Sequence, residues 1–150
     1  MSDRERLTFE MGLYKATFPV DLTYSESHFW FQTAENKTRC GLSAYAGRLL
    51  QDLFRIDWKV YVGEAIACEQ VLGEVESTKA SSELYAPMSG KLLDINSTAV
   101  DDPSLLTVDP YDAWLLEFEG KPERALDPKA YVEFLAAGWE ETLKMLKGQV

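Results

Sequence analysis

Gly73-Glu74-Val75-Glu76-Ser77-Thr78-Lys79-Ala80-Ser81-Ser82-Glu83-Leu84-Tyr85-Ala86-Pro87 decides how the rest of the chain is read. Val75 alternates with Glu74 and Glu76, and Leu84 and Tyr85 follow Glu83, so apolar and acidic side chains separate onto two faces of two short strands. Between them Ser77, Thr78, Ala80, Ser81 and Ser82 are small or polar, which suits a turn standing in water around Lys79. An amine at such a turn keeps a pKa near the reference value of roughly 10.4 and stays charged. That suits a site modified by another enzyme better than a resident base. An exposed lysine that merely aids solubility is the plain alternative, and these residues alone leave both open.

The whole chain sets limits on either reading. Its 150 residues and 46% apolar content allow one domain with a real core. A formal net charge of −10 argues against nucleic acid, since phosphate binding needs Lys and Arg. It suits docking onto basic partner proteins. No apolar run is long enough to cross a bilayer, and Met1-Ser2-Asp3-Arg4-Glu5-Arg6 leads into no signal core, so a cytoplasmic location is expected. A single histidine, His28, excludes a multi-histidine metal site. Cys40 and Cys68 both sit in apolar, strand-like surroundings and are expected to be buried thiols.

In chain order, residues 1–16 read as a flexible arm, followed by one domain over 17–150. Phe29–Gln32 and Thr38–Leu42 form a hairpin around Ala34-Glu35-Asn36-Lys37. Ser43 N-caps a short helix over Ala44–Leu53, with Ala46, Leu49, Leu50 and Leu53 on one face. Phe54–Trp58 alternates as a strand, Val60–Gly63 turns, and Glu64–Leu72 continues as strand. Lys91–Asn96 and Ala113–Glu119 are further strands, separated by a loop with a helical piece. Asp127-Pro128 opens a C-terminal helix, spanning 126–148, with an apolar stripe at Tyr131, Phe134, Leu135, Trp139, Leu143 and Leu146. The count is about seven to nine short strands and two or three helices.

Glu76-Ser77-Thr78-Lys79-Ala80, with Leu84-Tyr85-Ala86-Pro87 and Ser89-Gly90, resembles the lipoyl-attachment signature of the glycine cleavage system H protein family. Gly63 lies sixteen positions before Lys79 and Gly90 eleven after it, as in that family, where each is expected to set a tight turn that fixes the register of the hairpin. The likeness extends over Tyr24…His28-Phe29-Trp30, Gly41–Ala46, Leu50–Leu53, Asp102-Pro103, Asp109-Pro110-Tyr111 and Trp114-Leu115.

The resemblance implies a mainly β fold of the lipoyl/biotinyl barrel-sandwich type: two small sheets, a lysine at a hairpin tip, a short internal helix and a C-terminal amphipathic helix. It implies lipoate bound by an amide to Lys79, with Glu76, Ser77, Ala80, Gly63 and Gly90 serving recognition and the hairpin. Glu76 would be the acid that lipoylating enzymes read. Biotin carriers flank their lysine with methionines, whereas Thr78 and Ala80 stand here. His28 and Trp30 are expected to pack rather than to do chemistry. The protein would be a carrier, not an enzyme. Its partners would be a lipoate ligase or other lipoylating enzyme, dihydrolipoamide dehydrogenase, and the enzymes that load and unload the arm.

The sequence departs from the family pattern around the cleft where the loaded arm shelters. Ala44 replaces the usual Asp, and Gln51 stands at a glycine position, so a glycine kink is expected to be lost. Asp57-Trp58-Lys59 lacks the usual Leu-Pro turn, and the turn before Trp114 is shorter and glycine-free. Those changes, with Ala44–Asp52, look closest to H-like carriers of sulfur oxidation that serve a heterodisulfide-reductase-like complex, so that pathway is the expectation. The glycine cleavage system, with an aminomethyl cargo, is the alternative. A scaffold that is never lipoylated is the reading from another class.

Overall fold

A computed structural model describes residues 5–78 and 81–148, with side chains described through residue 142. Strands β1 (Arg6–Met11) and β2 (Tyr14–Pro19) pair as an antiparallel hairpin around Gly12, whose φ of 67° suits the turn. The loose arm expected over residues 1–16 is therefore, from Arg6 onward, the greater part of a packed hairpin. The cause is apolar alternation: Phe9 and Met11 on β1, and Ala16 and Phe18 on β2, all turn inward and are buried.

A six-stranded sheet follows the order β3-β4-β5-β11-β10-β7. Its members are β3 (Thr23–Tyr24), β4 (Phe29–Ala34), β5 (Lys37–Leu42), β7 (Ala65–Ile66), β10 (Gly90–Ile95) and β11 (Leu116–Glu119). A three-stranded sheet, β6-β8-β9, comprises β6 (Leu53–Trp58), β8 (Val71–Ser77) and β9 (Ser81–Tyr85). All pairings are antiparallel, so one face of each sheet meets the core and the other meets solvent. The expected β4–β5 hairpin forms with Phe29 opposite Leu42. Glu64–Leu72 is not one continuous strand, because a turn over residues 67–70, with Glu69 at φ 72°, interrupts it. Cys68 rides on that turn and is exposed, against expectation, while Cys40 is fully buried in β5.

Four helices are present among the described residues: α1 (Ala44–Leu50), α2 (Ser97–Asp101), α3 (Leu105–Val108) and α4 (Pro128–Gly148). Ser43 Oγ accepts the Ala46 N–H at 3.3 Å, the N-cap the sequence implies. Asp127 does the same for α4, accepting the Ala130 N–H at 2.7 Å. None of the helices described is long and apolar enough to cross a membrane.

Two cores result. Between the sheets lies a mainly aliphatic core that includes Leu72, Val75, Leu84, Leu92 and Leu116. Beneath α4 and the β1–β2 hairpin lies an aromatic one built on Phe18, Tyr24, Trp30, Tyr45 and Tyr131. Tyr24 and Tyr131 stack with centroids 4.8 Å apart, and Phe18 meets Tyr131 edge-on at 5.0 Å.

Candidate functional site

The β8–β9 pair is the hairpin read from the sequence, with Glu76 opposite Ser81 and Val75 opposite Ser82. Lys79 and Ala80 lie outside the described residues. Their neighbours are placed: Ser77 is buried, and Thr78 donates its hydroxyl to Asp52 Oδ2 at 3.4 Å. Glu76 is half-buried in β8, its Oε1 4.0 Å from Arg55 Nε on β6.

Gly63 and Gly90 do not act on the hairpin directly. Gly63, at φ 100°, donates its N–H to Leu92 O at 2.8 Å, and Gly90 pairs with Ile66, so both organise the β7–β10 edge of the larger sheet. A Cβ on Gly90 would lie 2.3 Å from Glu119 O. The hairpin sheet is pinned instead by Gly73, where a Cβ would lie 2.1 Å from Asp57 O on β6. That glycine also ends a register shift between Val71 and Gly73. Gly73 was legible only as a glycine within a strand, a pattern that marks close backbone approach.

The free edge of β9 faces a cleft of about 400 Å³. Its opposite wall is α1, through Ala46, Leu49 and Leu50, and Ser27–Phe29 close one side. Val75 and Leu84 give it an apolar floor. Ser77 and Ser81, on either side of the undescribed residues, both line it. Its ionisable side chains among the described residues are Glu83, His28 and Tyr85; none is cationic at neutral pH, because burial lowers the His28 pKa to about 4. Glu83 Oε1 accepts the Tyr85 hydroxyl at 2.8 Å, which raises the tyrosine pKa.

The wall of this cleft depends on how α1 ends. Gln51 has φ 44° and ψ 150°, and Asp52 follows at φ 37°. The kink expected to vanish with the family's glycine is thus kept, by a residue in a region that glycine all but monopolises. It swings the chain from α1 into β6 and presents Asp52 to Thr78.

His28 does more than pack. It too is left-handed, at φ 72°, held by its N–H to Ser25 O and its carbonyl to the Ser43 N–H. Its Nδ1 lies 2.9 Å from Tyr131 Oη, which lies 2.9 Å from Ser43 Oγ. Trp30 behaves as expected of a packing residue, donating Nε1–H to Pro110 O at 2.8 Å.

A second hollow of about 390 Å³ shares Ser27 and Tyr85 with the cleft and includes Cys68 and Arg124. Desolvation, then Glu123 and Glu69, raise the Cys68 thiol pKa, so it is a poor nucleophile at neutral pH.

A family model described as "Glycine cleavage H-protein" matches residues 22–137. The glycine cleavage system H protein of Thermoanaerobacter pseudethanolicus is 40% identical over 106 residues, covering 71% of this chain and 83% of that protein. Its counterpart in Nitratidesulfovibrio vulgaris is 36% identical over 124 residues, covering 81% and 97%. A crystal structure of the Mycobacterium marinum glycine cleavage system H protein superposes with a TM-score of 0.69 at 32% identity, covering 81% of this chain and 98% of that one.

Proposed function

The chain belongs to the glycine cleavage H-protein family, whose members carry lipoate on a lysine and serve as carriers rather than catalysts, and on that premise we propose that Lys79 is the lipoyl attachment point. Glu76, on the strand leading to Lys79, is the acid read by lipoylating enzymes, and Ser77 and Ala80 complete the recognised segment. Gly63 and Gly90 act at a distance, by holding the larger sheet. Lipoate supplies a dithiolane–dithiol couple that exchanges electrons and a bound group through its sulfurs. Because the arm is tethered, a weak dock between carrier and partner suffices.

The cleft suits such a group. From Ser81 to Tyr85, β9 runs roughly 14 Å. A lipoyl-lysine reaches about as far, roughly 14 Å at about 1.2 Å per backbone-like bond. Leu49, Leu50, Val75 and Leu84 would cover its methylenes, and Ser77, Ser81 and Ser82 offer hydrogen bonds near its base. The lipoyl unit takes in the β1–β2 hairpin as well as residues 17–150, since that hairpin backs α1.

We favour glycine cleavage as the pathway. The carrying observation is the charge of the cleft: a carboxylate at Glu83, a neutral imidazole at His28, and no cation among its described lining residues. An aminomethyl cargo, cationic when protonated, suits that lining, whereas a sulfur oxyanion would be desolvated beside Glu83 without a counter-charge. The sulfur-oxidation pathway expected from the altered flanks finds no support in the relatives named above, which are glycine cleavage proteins. Partners are accordingly a lipoylating enzyme, the glycine cleavage enzymes and dihydrolipoamide dehydrogenase.

Intact mass after co-expression with a lipoate ligase and free lipoate tests the attachment. A lipoyl increment is expected on the wild type and not on Lys79→Arg; an increment that persists in the variant sinks the assignment. Offering the lipoylated protein to glycine decarboxylase with glycine then tests the pathway. Failure to load would reject glycine cleavage while leaving the carrier reading intact.

A further inference from the structure

His28 is the only histidine in the chain, and it forms part of the wall of two hollows at once. One is the cleft beside β9; the other, of about 330 Å³, lies against α4 and is lined by Tyr45, Phe134 and Thr142. A left-handed, half-buried non-glycine residue is held in place only where its surroundings over-determine it, and such strain concentrates at binding sites. The surroundings here are explicit. Two backbone bonds fix the turn, and the ring packs 4.8 Å from Tyr45.

The imidazole spends one nitrogen on support. Nδ1 is bonded to Tyr131 Oη, and that oxygen to Ser43 Oγ, which already accepts the Ala46 N–H. Nε2 has no hydrogen-bond partner among the described residues. Nε2 is not among the atoms sealed in the interior, so on a ring that lines both hollows it stays within reach of a visiting group.

The Tyr131–Ser43 pair has two hydrogen arrangements. If Tyr131 donates to Ser43, His28 Nδ1–H donates to Tyr131 and Nε2 is an acceptor. If Ser43 donates to Tyr131, Tyr131 donates to Nδ1 and Nε2–H is a donor. The imidazole can therefore present either character without gaining charge.

We propose that His28 Nε2 is the polar contact for the far end of the lysine-borne arm in the cleft, with Tyr131 as the positioning residue that fixes the ring from α4. This rests on the carrier reading above. It adds α4 to the site, because the residue that aims the contact belongs to the C-terminal helix. The acceptor form suits an ammonium or a thiol S–H, and the donor form suits a disulfide sulfur or carbonyl.

A single histidine makes the test direct. Protein labelled with ¹⁵N-histidine gives one imidazole pair, recorded without lipoate and then lipoylated and reduced. Diethyl pyrocarbonate, which carbethoxylates a neutral imidazole nitrogen with release of ethanol and carbon dioxide, reports access to Nε2 by peptide mass. Lipoylation followed by reduction is expected to move the Nε2 resonance and to slow carbethoxylation of His28 about tenfold, the effect of one ordinary hydrogen bond. In Tyr131→Phe, which keeps the stacked ring, the protection should fall to within about twofold, with melting temperature recorded to confirm folding. Slower carbethoxylation without an Nε2 shift would mean that the arm only covers the ring, and overturns the contact. Equal rates in the two wild-type forms overturn it as well. Full protection in Tyr131→Phe overturns the role of Tyr131. Absence of the lipoyl mass increment would sink the carrier reading itself, a failure distinct from the other three.

Discussion

The hairpin sheet and the aromatic platform beneath α4 hold their parts in place by different means. In β6-β8-β9 the ordering comes from backbone: antiparallel ladders, register shifts at Leu53/Arg55 and Val71/Gly73, and a glycine pressed against a facing carbonyl. Its outward side chains contribute little, since Asp57, Glu74 and Glu83 stand opposite one another across three strands, with exposed Arg55 and Lys59 the cations paired to them among the described residues. The platform is held by side chains. Tyr24 Oη donates to Pro19 O at 2.7 Å, Tyr111 Oη to Thr17 O at 2.6 Å, and Trp30 Nε1 to Pro110 O. The family match begins at residue 22, so the β1–β2 half of this platform precedes the shared span. The hairpin sheet should therefore be intolerant of backbone change, and the platform intolerant of lost rings.

Phe18→Ala is the largest test of that contrast. It deletes a fully buried ring packed against Tyr24 and Tyr131, and should cost about 3–5 kcal/mol in urea unfolding. Lipoylation of Lys79 should survive where the protein is still folded. Loss of modification in the folded variant would show that the regions are not separable.

Gly73→Ala should cost about 3 kcal/mol or prevent folding, because the new methyl meets backbone rather than a movable side chain. A stability within about 0.5 kcal/mol of wild type would break the claim that backbone approach sets the hairpin register.

Next in size is a pH effect. Burial holds His28 to a folded pKa of about 4, below its unfolded value near 6.5, so the unfolded chain binds the extra proton first. The stability is full above pH 6.5 and is lost as pH falls through 4, by roughly 2–3 kcal/mol. His28→Asn tolerates the left-handed backbone and cannot titrate. The difference in stability between it and wild type should shrink by that amount from pH 7 to pH 4, and a constant difference would contradict the burial of the ring.

The smallest effect is expected at Gly47, inside α1. An added Cβ there would approach Thr107 Cα at 3.4 Å, an ordinary contact, so Gly47→Ala should raise stability by about 0.5–1 kcal/mol through helix propensity. A measured loss would mean that α1 and α3 are packed more tightly than that distance implies.

The elements with local chemical signals were legible in the sequence. The β4–β5 hairpin, the Ser43 and Asp127 caps and the strands flanking Lys79 each announce themselves within a few residues. The β1–β2 hairpin stands where a loose arm is expected, although Leu7, Phe9 and Met11, then Ala16 and Phe18, alternate around Gly12. A period-two pattern this short, next to a chain end, does not by itself tell a docked hairpin from a loose arm. Cys68 is exposed although Ala65-Ile66-Ala67 before it looks like a strand, because the Gln70 side chain accepts the Ala67 N–H where the chain turns outward. The role of His28 is hidden in the sequence for another reason. Tyr131, which aims it, lies 103 residues away, and no spacing rule joins them. Only family likeness singles out Lys79, since its neighbours in sequence fit an ordinary surface lysine equally well.

The kink at Gln51 carries a consequence for which substitutions the protein can accept. A side chain held at φ 44° and ψ 150° costs on the order of 1–3 kcal/mol relative to glycine. Replacement by glycine should therefore be tolerated at a gain in stability, whereas valine or isoleucine, stiff at the branched carbon, should be excluded. Position 51 thus has a short list of tolerated residues although it is no part of the chemistry. Its variation across relatives would trace how firmly each one needs the α1 wall to meet the hairpin.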